Sequence, residues 1–332
     1  MDLSTTYMGL RLSSPLVPAA SPLSRTLDAL RRMEDAGAGA IVLYSLFEEQ
    51  IDPGRLDPYL AGGLDAAAGV AFPALAEYRA GPEEYLEHVR RAKEALGIPV
   101  IASLNGVSAG PWVRYAGLLD QAGADALELN LYYLPADLFL SGAEIEQAQV
   151  GLLQEVGVRV GVPVAVKLGP LYTNVASLAR RLSEGGARGL VLFNRVHLPE
   201  IDPETLGPVP APLSAPGDRQ ATLLALHWVA LLHGRVGADL AASGGIYTAE
   251  DAARALLAGA SVVQLASALL VSGIGYLRAV REGLARWLEA HGYASVEQAR
   301  GVMSQRGVSW PAAAERADYL RQAGATHPPG LP

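Results

Sequence analysis

Eight short apolar runs, at 15–20, 40–44, 99–105, 126–131, 163–168, 189–194, 239–243 and 261–266, alternate along this chain with eight segments of helical spacing, at 24–36, 83–96, 112–121, 143–156, 174–184, 220–232, 249–257 and 275–290. The runs are nearly continuous in hydrophobicity, as parallel strands buried on both faces must be. Several helical segments stop at glycine, at Gly37, Gly123, Gly185-Gly186 and Gly259, the residue best suited to a helix C-terminal cap. Strict β–α alternation with this count predicts an α/β fold, a (β/α)8 TIM barrel. A doubly wound open sheet is the rival, but no G-x-G-x-x-G follows the first run. With 332 residues, 50% of them hydrophobic and 18% charged, the chain can bury a core of that size. The barrel is expected over 1–293. Residues 294–332 read as a C-terminal helical extension packed on it, since 295–323 carries two weakly amphipathic segments.

Charge and composition remove several function classes. A net charge of −8 and a pI near 5.3 argue against a nucleic-acid surface, and no basic stripe with interleaved aromatics is present. The absence of cysteine excludes disulfides, thiolate metal sites, protein-held iron–sulfur clusters and a cysteine nucleophile, and no metal site is expected. The N-terminus lacks a basic stretch before an apolar run, and no apolar stretch is long enough for a bilayer. A cytoplasmic protein is the simplest expectation.

Two connections are long, 46–82 after the second run and 196–218 after the sixth. The second holds Pro199, Pro203, Pro208, Pro210, Pro212 and Pro216 and cannot be helical. Both leave the C-terminal ends of strands, the face on which barrels assemble their active sites, and loops of that length are usually lids or binding loops. Glu48 and Glu49, at the start of the first, read as its charged face. Polar residues converge on the same rim: Asn105, Asn130, Lys167, Asn194, Ser243 and Ser267. Each alone is explained by turn or cap duty. Together they suggest a binding site, and the loops after the last two strands are where barrels commonly hold phosphate.

Lys167 stands out further. Lys93 and Lys167 are the only lysines in an otherwise arginine-based set of 26 basic residues. Lys167 ends the run Val164-Ala165-Val166-Lys167-Leu168, so a compact ammonium on a flexible stem is required where a planar guanidinium would not serve. A buried charge needs a partner, which implies an anion, or a group that becomes anionic, inside the fold.

These residues carry a resemblance to the dihydroorotate dehydrogenases, FMN-dependent (β/α)8-barrel flavoproteins, over nearly the whole chain up to about Tyr293. The family's N-P-x-x-x-A-S-G resembles Ser14-Pro15-Leu16-Val17-Pro18-Ala19-Ala20-Ser21, and its P-x-x-V-K-L-x-P resembles Pro163 to Pro170. Its late G-G-I-x-x-x-x-D-A…G-A-x-x-V-Q-x-x-[ST]-A-L is similar to Gly244-Gly245-Ile246, Asp251-Ala252, Gly259-Ala260, Val263-Gln264 and Ser267-Ala268-Leu269. The resemblance implies that Gly244, Gly245, Ala266 and Ser267 hold the FMN phosphate, with Ser243 beside them. Ala19, Ala20, Ser45, Asn105, Asn130 and Lys167 would line the isoalloxazine and ribityl chain, with Asn194 nearby. Lys167 would then stabilise reduced flavin, which tends to carry negative charge at N1 and the adjacent carbonyl.

The substrate-side residues depart from the family pattern. Its E-L-N-x-S-C-P-N, which carries the base, reads here Glu128-Leu129-Asn130-Leu131-Tyr132-Tyr133-Leu134-Pro135. Tyr133 takes the base position and Pro135 replaces a substrate-gripping asparagine. The lysine after the second strand becomes Tyr44, and the N-S-x-G segment has no clear counterpart near 69–75. Asn194 remains as a substrate contact, followed by Arg195, which could hold a carboxylate. A phenol with a pKa of about 10 is a poor base at neutral pH but an adequate proton donor. Tyr133 could therefore protonate a carbon next to one that receives hydride; alternatively, Tyr132 and Tyr133 only wall the site or stack on a ligand. Three functions follow. The favoured one is an FMN oxidoreductase acting on a C–C bond of an altered small carboxylated or heterocyclic substrate. The others are dihydroorotate oxidation with a tyrosine base, within pyrimidine metabolism, and a non-catalytic flavin-binding subunit that relays electrons to a redox partner. The resemblance also implies a homodimer, and any iron–sulfur centre must come from another subunit.

Overall fold

The computed structural model describes residues 1–52, 81–110, 112–196, 200–209 and 219–325. Most of the long connection after the second strand, including the region near 69–75 where N-S-x-G was sought, lies outside the described residues.

Eight parallel strands form one sheet: β3 (Leu16–Pro18), β4 (Ile41–Phe47), β5 (Val100–Asn105), β6 (Ala126–Leu131), β7 (Val164–Leu168), β8 (Gly189–Leu192), β11 (Asp239–Ser243) and β12 (Val262–Leu265). The order β3-β12-β11-β8-β7-β6-β5-β4 returns the last strand in sequence to the side of the first. The seam between β3 and β4 is drawn together where Gly39 N donates to Leu16 O at 2.9 Å. A Cβ on Gly39 would run into the Ser14 carbonyl, so only glycine permits that approach. Helices surround the strands, and the fold is the (β/α)8 TIM barrel expected from the alternation.

Period-2 alternation sorts each strand into two environments. Leu127, Leu129 and Leu131 pack outward with the helices in the main core. Val17, Val42, Ile101, Ala126, Ala165, Val191, Ala241 and Val262 face inward as a second cluster. Several of these inward residues are alanine, and the space they leave is filled by Tyr7, Met8 and Leu12 of an N-terminal hairpin, β1 (Thr5–Tyr7) and β2 (Leu10–Leu12). That plug has no counterpart among the predicted elements. Its turn places Met8 at φ 54° and Gly9 at φ 80°, the positive values a tight hairpin needs, and Met8 N donates to Asp239 Oδ2 at 2.7 Å.

Other departures have local causes. The segment expected as one helix over 24–36 is a 3-10 turn, Pro22–Arg25, followed by a helix over Leu27–Asp35. The chain breaks at Thr26, whose side chain caps the helix by accepting from Ala29 N at 3.2 Å. In the connection 196–218 the described part includes a small hairpin, β9 (Glu200–Asp202) with β10 (Gly207–Val209). The C-terminal segment holds helices Val296–Ala299 and Pro311–Ala325. Backbone bonds tie it to the barrel's helices: Gly301 N to Leu256 O, Met303 N to Leu257 O and Gln305 N to Ala230 O. No helix among the described residues is long and apolar enough to cross a membrane.

Candidate active site

Above the apolar layer the barrel interior turns polar. On β6 the inward positions after Ala126 are Glu128 and Asn130, one pleat apart. Glu128 is 1% exposed and Lys167 of β7 is 6% exposed. Gln264 of β12 joins them across the barrel. Lys167 Nζ donates to Gln264 Oε1 at 3.1 Å, Gln264 Nε2 donates to Glu128 Oε2 at 2.6 Å, and Lys167 Nζ lies 3.6 Å from Glu128 Oε1. The anion that a buried lysine requires is therefore already in the chain. Neither Glu128 nor Gln264 was singled out from the sequence as a site residue.

One layer higher the amides form the rim. Asn105 and Asn130 are register partners, and Asn194 Nδ2 donates to Asn130 Oδ1 at 2.8 Å. Arg195 N donates to Asn194 Oδ1 at 2.9 Å, and Asn194 N to Leu168 O at 2.7 Å. The Asn105 side chain makes no hydrogen bond among the described residues. On the neighbouring β4 the register shifts between Val42 and Ser45, a bulge that re-aims the side chains beyond it. Ser45 Oγ and Ser103 Oγ then lie 2.8 Å apart. Tyr44 N donates to Ser24 Oγ at 2.7 Å, and the Tyr44 ring meets Tyr85 edge-on at 5.0 Å. Burial raises the Tyr44 phenol pKa, and the nearby Arg25 charge opposes the shift.

This rim opens into a cleft of two lobes at the C-terminal face of the barrel. The larger has a volume of about 530 Å³ and the smaller about 270 Å³. Ala20, Ser21, Pro22, Lys167 and Asn194 line both and form their common wall. Tyr44, Ser45, Asn105, Asn130 and Tyr132 belong to the larger lobe. Ala19, Arg195, Ser243, Gly244, Gly245, Ala266 and Ser267 belong to the smaller. Gly244 and Gly245 have φ of 100° and 68°, a left-handed pair that only glycine holds without strain. Thr222 Oγ1 donates to Gly245 O at 2.8 Å and fixes the turn. Ser267 opens a short helix, Ser267–Ser272, that carries no side-chain N-cap bond. The smaller lobe thus gathers glycine-turn backbone and an uncapped helix start, the donor set suited to a phosphate.

The residues picked from sequence reach this cleft with one exception: Tyr133 is not among those lining either lobe, whereas Tyr132 is. Arg195 is on the smaller lobe. Arg25, Phe47 and Gln50 line the larger lobe and were not anticipated. Glu48 is a correction. Expected on a charged loop face, it is 6% exposed. Its Oε2 accepts from Ser108 Oγ at 2.9 Å, Val107 N at 3.3 Å and Ser108 N at 3.4 Å. A carboxylate with three donors is well satisfied in a buried place, and here it pins the loop that follows Asn105.

The family model for dihydroorotate dehydrogenase matches residues 2–288. The chain belongs to the dihydroorotate dehydrogenase family. Among its relatives, an Aeropyrum pernix protein named "Putative dihydroorotate dehydrogenase A (fumarate)" is 32% identical, covering 90% of this chain and 97% of its own. The Pyrococcus abyssi "Dihydroorotate dehydrogenase B (NAD(+)), catalytic subunit" is 31% identical, covering 90% of this chain and 98% of its own. A protein of the same name from Methanocella arvoryzae is 30% identical over 87% of this chain and 94% of its own. The chain is thus an oxidoreductase of dihydroorotate-dehydrogenase type.

Proposed function

We propose that this chain is an FMN-dependent oxidoreductase that moves a hydride between the flavin and a C–C bond of a small carboxylated or heterocyclic substrate. The observation that carries the reading is the shared wall of the cleft. Lys167 reaches both lobes, one built as a phosphate cradle and the other roomy and lined by amides and aromatics. FMN suits that layout, with its phosphate at Gly244, Gly245, Ala266 and Ser267 beside Ser243. Its ring system would lie along Ala19, Ala20, Ser45, Asn105, Asn130, Lys167 and Asn194. Bound FMN would supply two-electron chemistry that no side chain here offers.

The chain's own residues would do the rest. Lys167 holds a positive charge at the junction of the lobes, and Glu128 and Gln264 keep its ammonium in place. The rim amides orient polar substrate edges. A phenol donates the proton that accompanies hydride addition to a double bond. Tyr132, in the cavity wall, is the better situated donor, since Tyr133 lines neither lobe. A partner subunit that takes up the electrons, and a second copy of this chain, belong to the same proposal. The Pyrococcus abyssi relative's name, a catalytic subunit, supports the first.

A specific observation favours a second reading, oxidation of dihydroorotate itself: the family match spans residues 2–288 and the relatives' names carry that substrate. One experiment separates them. The protein is loaded with FMN, its visible spectrum recorded, and the flavin titrated anaerobically with dihydroorotate and, after reduction, with fumarate. Failure to bind FMN sinks both readings. Bleaching by dihydroorotate selects the second, and a flavin that dihydroorotate leaves oxidised selects an altered substrate.

A further inference from the structure

We propose that Arg25 is the carboxylate-binding residue of the larger lobe and makes this cleft selective for small organic anions. The proposal deepens the function above and rests on that reading of the cleft. Arg25 ends the 3-10 turn Pro22–Arg25 and lines the larger lobe. The turn beneath it is pinned at one residue. Ser24 Oγ donates to Ser21 O at 3.0 Å and accepts from Tyr44 N at 2.7 Å, and His88 Nε2 donates to Ser24 O at 2.8 Å. The Arg25 guanidinium carbon then stands 5.6 Å from the centre of the Tyr44 ring, which holds it by cation–π attraction. A long exposed side chain is thereby given a seat at the cleft wall.

Charge bookkeeping across the cleft singles the residue out. Lys167, the other cation of the larger lobe, is matched by Glu128. Among the described residues Arg25 has no ion pair, and no aspartate or glutamate lines that lobe. The Arg25 charge, which is not ion-paired among the described residues, is therefore available to a ligand in the lobe that the Asn105 amide also lines; Glu84 acts on the same Tyr44 ring but does not line the lobe. A planar guanidinium with several fixed donors matches a carboxylate in two-point fashion. Arg195, expected from sequence to take the carboxylate, lines the smaller lobe instead.

The test uses the FMN-loaded protein and three acids, each with a neutral counterpart: benzoate and benzamide, fumarate and fumaramide, orotate and uracil. Binding is followed by perturbation of the flavin spectrum and by calorimetry. At least one acid should bind, and Arg25→Met should weaken it about 10- to 100-fold, the loss of a charge-assisted pair. The neutral counterpart and FMN itself should bind as before, and Arg25→Lys should recover part of the loss. The proposal is overturned if none of the three acids binds, if Arg25→Met leaves the acid unaffected, or if acid and neutral compound weaken equally. If the protein takes up no FMN, the reading of the cleft as a flavin site falls, and calorimetry of acid against neutral compound still decides the role of Arg25.

Discussion

Lys167 Nζ lies 3.6 Å from Glu128 Oε1 inside the barrel, and Gln264 bonds to both partners. Desolvating two charges is costly, and the pair persists because each neutralises the other. Among the described residues Glu128 Oε1 itself has no hydrogen bond, so its remaining stabilisation comes from the ammonium. Removing one partner leaves the other buried and uncompensated, at a cost of about 3–5 kcal/mol. Glu128→Gln and Lys167→Met should each lower stability by that order in urea unfolding. The double variant should lose clearly less than the sum. Strict additivity would show that the two side chains do not interact.

Tyr7 and Tyr85 give the fold a sensitivity to alkali. Both are fully buried, and both have their phenol pKa raised above 10.0, Tyr7 by burial with Glu128 and Asp239 adding, Tyr85 chiefly by burial. In the unfolded chain they ionise near pH 10, while in the folded protein they stay protonated. Their stabilisation is therefore complete below pH 10 and is lost as pH rises from there towards the folded values. Each contributes a slope of about 1.4 kcal/mol per pH unit in that window. Denaturant midpoints measured from pH 9 to 11 should fall, and less steeply in Tyr7→Phe. Among the described residues the Tyr7 hydroxyl has no hydrogen-bond partner, so that variant should be neutral or up to about 1 kcal/mol more stable at pH 7.

Why the barrel and much of the rim were legible, and the rest was not, follows from the range of the interactions. Strand runs, helix stops and the rim amides depend on local pattern, and Asn105, Asn130 and Asn194 emerge where strand ends put them. Glu128 carried a usable signal. It precedes Asn130 by two residues, which puts it on the same inward face, and an acid inside an apolar strand needs a cation. Gln264, between Val263 and Leu265, carried the same signal. Glu48 has no such pattern, because the loop it pins is 59 residues away. Arg25 is placed by a turn that packs on a bulged strand, and neither the bulge nor the ring beneath the guanidinium has a local signature.

Glu48 makes the loop after Asn105 sensitive to small changes. A Cβ on Gly106 would lie 2.7 Å from the Trp112 ring and 2.9 Å from Glu48 Oε2. Glu48→Ala should leave Val107 and Ser108 N–H groups without their acceptor and cost about 1–3 kcal/mol. Gly106→Ala should cost about as much through overpacking. Thermal unfolding checks both. A Glu48→Ala protein as stable as the parent would mean that water replaces the carboxylate.

Tyr132 and Tyr133 offer the sharpest test of the chemistry. The two are adjacent, so on an extended segment they point apart, and it is Tyr132 that lines the larger lobe. If a phenol donates the proton, Tyr132→Phe should lower turnover of a reducible substrate by about 10²- to 10⁴-fold, the usual worth of a positioned acid. FMN affinity should be unchanged, because the ring is retained. Tyr133→Phe should cost far less. Single-turnover reoxidation of reduced flavin by fumarate, or by whichever acid the wild type accepts, measures both variants on one scale. The reverse order of effects would return the donor to Tyr133 and require its phenol to turn into the cleft when substrate binds. Equal rates in both variants would remove tyrosine from the proton transfer and leave solvent as the donor.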